Sequence, residues 1–301
     1  MEIGRGYTGW VHWHPTDQEA AEFYSTGVYP GKLVENQYLI VHNSDESTMY
    51  YCHENDKLRQ LRGRTIKVAR DEDGASETEP VVTTKKKKTT KSTHGKHANV
   101  TARNDEQVCC VDLLKDHSKT VKLLTGRFGT GKTMLLVTAG LEALQLGVFQ
   151  KIVWIRNNID VKDTKDLGAL PGTEYEKLFP FLGPFVDHAG ESAVRTMVNK
   201  GSLQVVPLQY LRGRNFQDAL IMCSESENLT KEHMQLIIAR AAEGSEVWFD
   251  GDTRQRDKPS FEKSQGIERM IERLAGDPLF GYVHLAKSER SATARLADKM
   301  D

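Results

Sequence analysis

The amino-acid sequence predicts an α/β fold, in which a mainly parallel sheet is flanked by helices and a small α+β domain precedes it. From residue 101 onward, short apolar runs alternate with amphipathic segments, which is the pattern of a parallel sheet covered on both faces. Before residue 70, one helical segment is followed by two strand-like runs. A highly charged stretch separates the two parts. We therefore expect a domain at 1–70, a linker at 71–100 and a second domain at 101–301.

The first of these parts carries signals for a helix and a hairpin. Thr16-Asp17-Gln18-Glu19 is a capping box and predicts a helix to about Ser25. The runs Tyr38–Val41 and Met49–Cys52 flank a polar turn, as in a hairpin. Dense aromatic residues predict a small core here rather than a platform for stacking bases. They are Trp10, Trp13, Phe23, Tyr24, Tyr29, Tyr38, Tyr50 and Tyr51.

Two histidines, His12 and His14, flank Trp13. We do not predict a metal site from them, because no Cys or carboxylate follows at a metal-ligand spacing.

The segment 71–100 is acidic at its start and rich in lysine from Lys85 to Lys96. It has almost nothing apolar to bury, so we expect a disordered tether. A lysine cluster also binds phosphodiesters in some proteins, but a solvated linker is the better prediction.

The larger part contains six predicted strands and five predicted helices. The strands are Val121–Leu124, Lys151–Ile155, Leu203–Pro207, Ala219–Cys223, Glu246–Asp250 and Tyr282–Leu285. The helices lie near 132–146, 173–186, 192–199, 230–242 and 264–275.

Composition narrows the class of protein. The chain has 301 residues, a formal net charge of -1 and 38% hydrophobic residues, which suits a protein with a real core. We expect no membrane attachment, because no apolar run approaches the ~20 residues of a spanning helix and the start lacks a secretory signal. Four cysteines without metal-ligand spacing indicate reduced thiols and a cytoplasmic protein.

The motif Gly126-Arg127-Phe128-Gly129-Thr130-Gly131-Lys132-Thr133 matches the phosphate-binding pattern G-x-x-x-x-G-K-[ST]. It lies between an apolar run and a helical segment, as a P-loop requires. Backbone N–H groups and the helix N-terminus would bind phosphate, Lys132 would reach the β- and γ-phosphates, and Thr133 would coordinate Mg²⁺. The sequence therefore predicts ATP and Mg²⁺ as ligands.

Acidic residues follow two later strands. Glu225 comes just after Ala219–Cys223, at the edge of the sheet where ligands bind, and is the candidate general base. The next strand ends in Asp250-Gly251-Asp252-Thr253-Arg254-Gln255. An Asp and a Gln in this place suit contacts to the γ-phosphate or to the attacking water.

From Asn104 to about Leu296, two-thirds of the chain resembles the PhoH-like ATPases, whose RecA-like core is similar to the first motor domain of superfamily-one helicases. The matching pieces are Gln107, the P-loop, Arg156, Leu167–Gly172, Glu176-Lys177, Arg212-Gly213-Arg214-Asn215-Phe216, Glu225 with Asn228-Leu229-Thr230, and Gly251-Asp252 with Gln255. The first seventy residues resemble short members from tailed phages, which implies the host cytoplasm and no nuclease domain.

The resemblance implies a role for each matching position. Gln107 would read the adenine edge, Glu225 would act as the base, and Gln255, beside Asp252, would sense the γ-phosphate. The resemblance also implies positive charge beside the nucleotide, supplied within one chain or across a subunit interface by Arg212, Arg214 and Arg290. Each arginine could instead form a surface ion pair or contact a nucleic-acid phosphate. Relatives of this kind are commonly rings, so a homo-oligomer such as a hexamer is implied.

The chain departs from the family at the end of one strand. The family has Asp-Glu, a small residue, Gln and Asn there, whereas this chain has Ser224 in place of the Asp and Glu227 in place of the Gln. A serine hydroxyl brings no charge to a Mg²⁺-bound water, so we expect weaker metal binding and slower hydrolysis. We also expect faster Mg²⁺-dependent turnover in Ser224→Asp and slower turnover in Glu225→Gln. After the second strand, Arg156 is followed by Asn157 rather than by the family's Pro.

Two functions fit the sequence. The first is an ATPase that couples turnover to the handling of RNA or single-stranded DNA. The second is an ATP-gated oligomer that clamps a nucleic acid or a host protein with little hydrolysis. A metabolic kinase fits poorly, because the sequence shows no insertion that would bind a small substrate.

Overall fold

The computed structural model describes residues 6–61, 63–69, 97–156, 179–255 and 265–290. Their strands form a four-stranded sheet, a six-stranded sheet and a two-stranded sheet. This arrangement confirms the predicted α/β core and the smaller α+β part. None of the helices in these ranges combines the length and the apolar character needed to cross a membrane.

The six-stranded sheet is parallel throughout and confirms the predicted strands. Its strands are β7 (Val121–Gly126), β8 (Lys151–Arg156), β9 (Leu203–Pro207), β10 (Ala219–Cys223), β11 (Glu246–Gly251) and β12 (Phe280–Leu285). They lie side by side in the order β12-β7-β11-β10-β8-β9. Strand β11 therefore separates the P-loop strand β7 from β10, and this order decides which side chains reach the loop.

Helices cover both faces of this sheet. They are α2 (Asp105–Lys115), α3 (Lys132–Gln145), α4 (Gly183–Ala189), α5 (Glu191–Asn199), α6 (Lys231–Ile238) and α7 (Gly266–Leu274). Residues 173–178 of the helix predicted at 173–186 lie outside the described residues. The described remainder is a turn at Phe179–Phe181 followed by the start of α4, so among the described residues the α-helix begins only at Gly183. Helix α2 is not among the predicted helices. It is capped by Asn104, whose side chain accepts a hydrogen bond from the Gln107 backbone N–H.

The apolar residues of the central strands alternate between two buried clusters. Leu124, Trp154 and Met222 point to the face covered by α2 and α3. Leu123 and Ile221 point to the other face, with α6 and α7. Because successive side chains of a strand point to opposite faces, a strand buried on both sides must be apolar throughout, as these are.

The N-terminal sheet contains β1 (Trp10–Trp13), β2 (Tyr38–His42), β3 (Thr48–Glu54) and β4 (Lys57–Gln60). The predicted hairpin is present, since β2 pairs antiparallel with β3. The predicted capping box also forms at the start of helix α1 (Asp17–Thr26). One face of the sheet packs Leu39 and Val41 against Phe23. The opposite face adds Tyr38 and Ile40 to the main core.

Polar contacts fix this sheet to the central domain. The Arg59 guanidinium binds the Asp112 carboxylate of α2 at 2.9 Å. The buried Asn36 amide donates to the backbone carbonyls of Asp277, Pro278 and Phe280 at 2.9 to 3.2 Å. The N-terminal sheet is therefore docked on the core by buried hydrogen bonds as well as by apolar contact.

The third sheet lies on the P-loop helix. Strand β5 (Thr65–Ala69) pairs antiparallel with β6 (His97–Thr101), and Ile66 and Val68 are buried in the core with α3. The linker expected at 71–100 is thus too long at its C-terminal end, because residues 97–100 lie in a strand. The apolar alternation of β5 covers only five residues, and its partner β6 begins only at His97, so little in the sequence indicates this pair. Residues 70–96 lie outside the described part of the chain.

Candidate nucleotide site

The P-loop connects the end of β7 to the start of α3. At Gly126 an added Cβ would lie 2.3 Å from the Leu285 carbonyl oxygen, so only glycine lets β12 approach this closely. Gly131 has φ of 91° and forms the N-cap of α3, a left-handed conformation that favours glycine. Both glycines are therefore required by the backbone geometry.

The N-terminus of α3 has the properties of an anion site. Its N-cap residue, Gly131, has no side chain to accept hydrogen bonds from the first-turn N–H groups, and the helix dipole adds positive potential. The Lys132 ammonium group donates to the carbonyls of Gly126 at 2.7 Å and Arg127 at 3.0 Å. Burial lowers the Lys132 pKa, while the nearby Asp250 and Asp252 oppose this change. The loop thus gathers donors around a space that suits phosphate.

Thr133 contacts a carboxylate that the sequence did not single out as a ligand. Its hydroxyl donates to Asp250 Oδ2 at 2.6 Å. Asp250 is only 2% exposed, and its other oxygen, Oδ1, is buried without a hydrogen-bond partner in the described part of the chain. Burial raises the Asp250 pKa, opposed by the Thr133 hydrogen bond, the Lys132 charge and the Ser224 hydroxyl. A buried carboxylate with a spare oxygen is therefore held against the P-loop threonine.

These donors fit Mg²⁺. The ion prefers oxygen ligands and commonly takes one or two carboxylates together with phosphate oxygens and water. Thr133 and Asp250 supply a hydroxyl and a carboxylate at one place, and the buried Ser224 lines the same cleft. The spare Asp250 oxygen would give such an ion the charged donor that Ser224 lacks.

The site is a cleft of about 370 Å³ at the carboxyl edge of the sheet. Glu225 lies at its opening, exposed, with φ of 57°, a conformation rare for residues other than glycine. Gln255 also lines the cleft, as does Asp252. The full lining is Phe128, Gly129, Gly131, Lys132, Thr133, Met134, Pro184, Ser224, Glu225, Glu227, Asp250, Gly251, Asp252 and Gln255.

Glu227 is a second buried carboxyl group in the cleft. Its Oε2 accepts a hydrogen bond from the Asp252 backbone N–H at 2.9 Å. Burial raises the pKa of Glu227 to about 7, and the Asp250 charge acts in the same direction. Near neutral pH this side chain is therefore protonated in part, and its protonated form has the shape of the glutamine that the family carries here.

Gln107 and Arg290 both contact the P-loop. The Gln107 amide donates to the Thr130 carbonyl at 2.9 Å and accepts from the Arg103 backbone N–H at 2.9 Å. The Arg290 guanidinium lies 4.0 Å from the centre of the Phe128 ring. Arg290 therefore contacts the P-loop of its own chain, and Gln107 connects α2 to the same loop by a hydrogen bond. The Thr130 hydroxyl closes the loop by donating to the Arg127 carbonyl at 2.9 Å.

Arg212 and Arg214 are not brought into the cleft. Both are exposed in the turn between β9 and β10. The Arg214 guanidinium lies over the Phe216 ring at 4.7 Å. The segments 167–172 and 176–177 lie outside the described residues.

With this geometry in place, comparison with known proteins identifies the family. The family described as PhoH-like protein matches residues 99–298, a range that contains every residue lining the cleft. The chain belongs to the PhoH-like family. Membership supports nucleotide binding at the P-loop of this PhoH-like chain, in agreement with the geometry of Lys132 and Thr133.

Several relatives share this PhoH-like region. Protein PhoH2 of Bacillus subtilis (strain 168) is 36% identical over 206 residues, which are 65% of this chain and 46% of the relative. Protein PhoH2 of Mycolicibacterium smegmatis is 35% identical over 202 residues, 66% of this chain and 46% of the relative. A PhoH-like protein of Bacillus subtilis is 32% identical over 168 residues, 54% of this chain and 52% of the relative. The chain spans about half the length of these relatives.

Asp250 lines the cleft beside Thr133, and the sequence analysis did not assign it to the metal. A signal is present, because Asp250 ends a buried strand directly before Gly251-Asp252. From the sequence pattern alone, Asp250 belongs to the segment 250–255 that is expected to contact the γ-phosphate. Sequence does not show that β11, and not β10, lies next to the P-loop strand.

Proposed function

We propose that this chain is an ATPase that hydrolyses ATP in the cleft and couples turnover to RNA or single-stranded DNA. The observation that carries the proposal is the buried Asp250 carboxylate, hydrogen-bonded to the P-loop Thr133. Family membership and the P-loop alone support nucleotide binding. The Asp250 carboxylate supports hydrolysis, because it supplies a negative charge near Ser224, which replaces the Asp of the family.

Each residue has a part in the proposed reaction. Lys132 would leave the carbonyls of Gly126 and Arg127 and bind the β- and γ-phosphates. Thr133 and Asp250 would hold Mg²⁺, with Ser224 contacting a water beside it. When bound, the ion would neutralise charge on the phosphate oxygens.

Proton transfer falls to residues at the opening of the cleft. Glu225 is exposed there and would accept the proton of the attacking water, and Gln255 would orient that water. Arg290, stacked on Phe128, would add positive charge beside the loop. Gln107 would contact adenine through an amide that now bonds Thr130 and the backbone of Arg103.

Assembly and nucleic-acid binding rest on features away from the cleft. Arg212 and Arg214 are exposed and would act on the nucleotide of a neighbouring subunit in a ring such as a hexamer. The lysines between β5 and β6 in sequence, from Lys85 to Lys96, would contact phosphodiester backbones.

The test is phosphate release by the full chain with Mg²⁺ and ATP, with and without a single-stranded polynucleotide. We expect Mg²⁺-dependent release that the polynucleotide stimulates, and its loss in Lys132→Ala. Arg195→Ala is a matched control, because Arg195 is an exposed cation that pairs with Glu191 on α5 and does not line the cleft. Release that is equal in the natural chain and in Lys132→Ala would refute the proposal.

Ser224 favours a second candidate, an ATP-gated clamp with little turnover. In that case ATP would drive assembly without phosphate release. Light scattering of the protein with and without Mg²⁺-ATP, run beside the phosphate assay, separates the two functions.

A further inference from the structure

Two histidines and an aspartate meet at the junction between the N-terminal sheet and α2. His12 lies on β1, His42 ends β2, and Asp105 is the first residue of α2. One ligand atom from each lies within 4.8 Å of the others. The sequence offered only His12 and His14 as neighbours. The parallel pairing of β1 with β2, which aligns His12 with Ile40, places His42 beside His12 on the same face of the sheet.

The two imidazoles are close enough to share one proton. His12 Nδ1 lies 2.6 Å from His42 Nε2, the ring centroids are 4.9 Å apart and the ring planes differ by 17°, so the two nitrogens face each other edge to edge. At this distance one of the two nitrogens must carry a proton and the other must accept it, so the two cannot be protonated at the same time. A divalent ion between them would replace the shared proton and use both lone pairs.

The groups around the three residues hold them in orientations that suit a metal ligand set. The Tyr50 hydroxyl donates to Asp105 Oδ1 at 2.7 Å, which leaves Oδ2 4.0 Å from His42 Nε2. His42 Nδ1 contacts the Thr48 hydroxyl at 3.4 Å, so Nε2 is the nitrogen that faces the cluster. Hydrogen bonds of this kind to the outer atoms of the ligands are a regular feature of metal sites in proteins.

We infer that His12, His42 and Asp105 bind a divalent transition-metal ion of the Zn²⁺ class. Two imidazole nitrogens and one carboxylate oxygen are a donor set that Zn²⁺ accepts, with a fourth position for water. Zn–N bonds of about 2.0–2.1 Å in a tetrahedral site place two nitrogens roughly 3.3 Å apart. The two nitrogens would therefore move apart by less than one ångström, and the rings would turn so that both lone pairs point at the ion.

The position of the site gives the ion a structural role that does not depend on the proposed ATPase activity. Asp105 lies two residues before Gln107, which bonds the Thr130 carbonyl of the P-loop. A bound ion would join β1 and β2 to the start of this helix. It would thereby stabilise the docking of the N-terminal sheet next to the nucleotide site.

The test is Zn²⁺ binding by the full chain after removal of metals with a chelator and dialysis. Competition with a chromophoric chelator, in excess Mg²⁺ to saturate oxygen-ligand sites, measures the affinity and the stoichiometry. We expect one tightly bound Zn²⁺ per chain, lost in His12→Gln, His42→Gln and Asp105→Asn. His53→Gln is the matched control, because His53 lies in β3 of the same sheet and contacts the Val34 carbonyl instead.

A second pair of variants keeps all three ligands in place. Tyr50→Phe removes the hydrogen bond to Asp105 and is expected to weaken Zn²⁺ binding about 10- to 100-fold. Tyr51→Phe, on the opposite face of the same strand, should leave the affinity unchanged. Zn²⁺ should also raise the unfolding temperature of the natural chain and not that of Asp105→Asn. Equal Zn²⁺ affinity in the natural chain, His12→Gln and Tyr50→Phe would overturn the inference and leave a metal-free histidine pair.

Discussion

The contact between Asp250 and Thr133 leads to a prediction about which strand supplies the charge for Mg²⁺. Asp250→Asn keeps the size of the side chain and removes its charge. The Asn oxygen can still accept from the Thr133 hydroxyl, so this short hydrogen bond loses its charge assistance, which is worth about 1–1.5 kcal/mol. At 1.4 kcal/mol per tenfold change, this corresponds to roughly a 5- to 10-fold loss of Mg²⁺ affinity.

Two measurements show that loss. The first is the Mg²⁺ concentration that gives half-maximal phosphate release, which should rise by roughly that factor. The second does not depend on turnover. It is the ratio of nucleotide affinities with Mg²⁺ and with EDTA, measured with a fluorescent ATP analogue, and it should fall toward one in Asp250→Asn.

The partner substitution, Ser224→Asp, separates this explanation from the one that the sequence suggests. The sequence predicts faster turnover in Ser224→Asp. In the structure the Ser224 hydroxyl interacts with the Asp250 carboxylate, so a second carboxylate there would face a buried like charge. We therefore expect no gain from Ser224→Asp alone, and recovery to within about tenfold of natural turnover in the double variant Ser224→Asp/Asp250→Asn.

Thermal unfolding provides the control for folding. Asp250 is buried with one unpartnered oxygen among the described residues, so Asp250→Asn should not lower the unfolding temperature of the metal-free chain. The reasoning would be refuted if Asp250→Asn kept the natural Mg²⁺ dependence, or if Ser224→Asp alone accelerated turnover.

Three further predictions concern the cleft and the docked sheet. Burial raises the pKa of Glu227 to about 7 from an ordinary value of 4.5, so the metal-free chain should lose stability as pH rises from 4.5 to 7. By pH 8 the loss in free energy of unfolding should reach about 3 kcal/mol, and urea unfolding of Glu227→Gln should lack this part of the pH dependence. Gly126→Ala should lower the unfolding temperature and abolish binding of the ATP analogue, because its Cβ would lie 2.3 Å from the Leu285 carbonyl oxygen; unchanged binding would contradict this. Asn36→Ala removes hydrogen bonds to three backbone carbonyls, of which the contact to Phe280 is buried, and should cost about 1–3 kcal/mol in urea unfolding. A change below the ~0.5 kcal/mol typical of surface sites would show that this side chain does not hold the sheet.

The sequence predicts the central sheet well because its strands are buried on both faces. A run such as Ala219–Cys223 must then be apolar at every position, and that pattern is visible without a structure. The P-loop is equally visible, since its glycines are demanded by the local backbone. Both features depend on residues that are close together in the chain.

Features that depend on distant residues were not predictable in the same way. Helix α2 mixes buried Glu106 and Gln107 with cysteines, and its polar residues are satisfied by contacts that the sequence does not display. The proximity of Asp250 to Thr133 depends on the order of strands in the sheet. The meeting of His12 with His42 depends on the parallel pairing of β1 with β2, which joins segments separated by a helix.

The contacts between β1 and β12 have a consequence for the synthesis of the protein. The Trp10 indole N–H donates to the His284 carbonyl at 2.7 Å, and the two residues are 274 positions apart in the chain. At about 5–20 residues per second, the ribosome needs on the order of 14–55 s to make the partner of Trp10 after Trp10 itself. During that interval the first strand has no place on the central sheet.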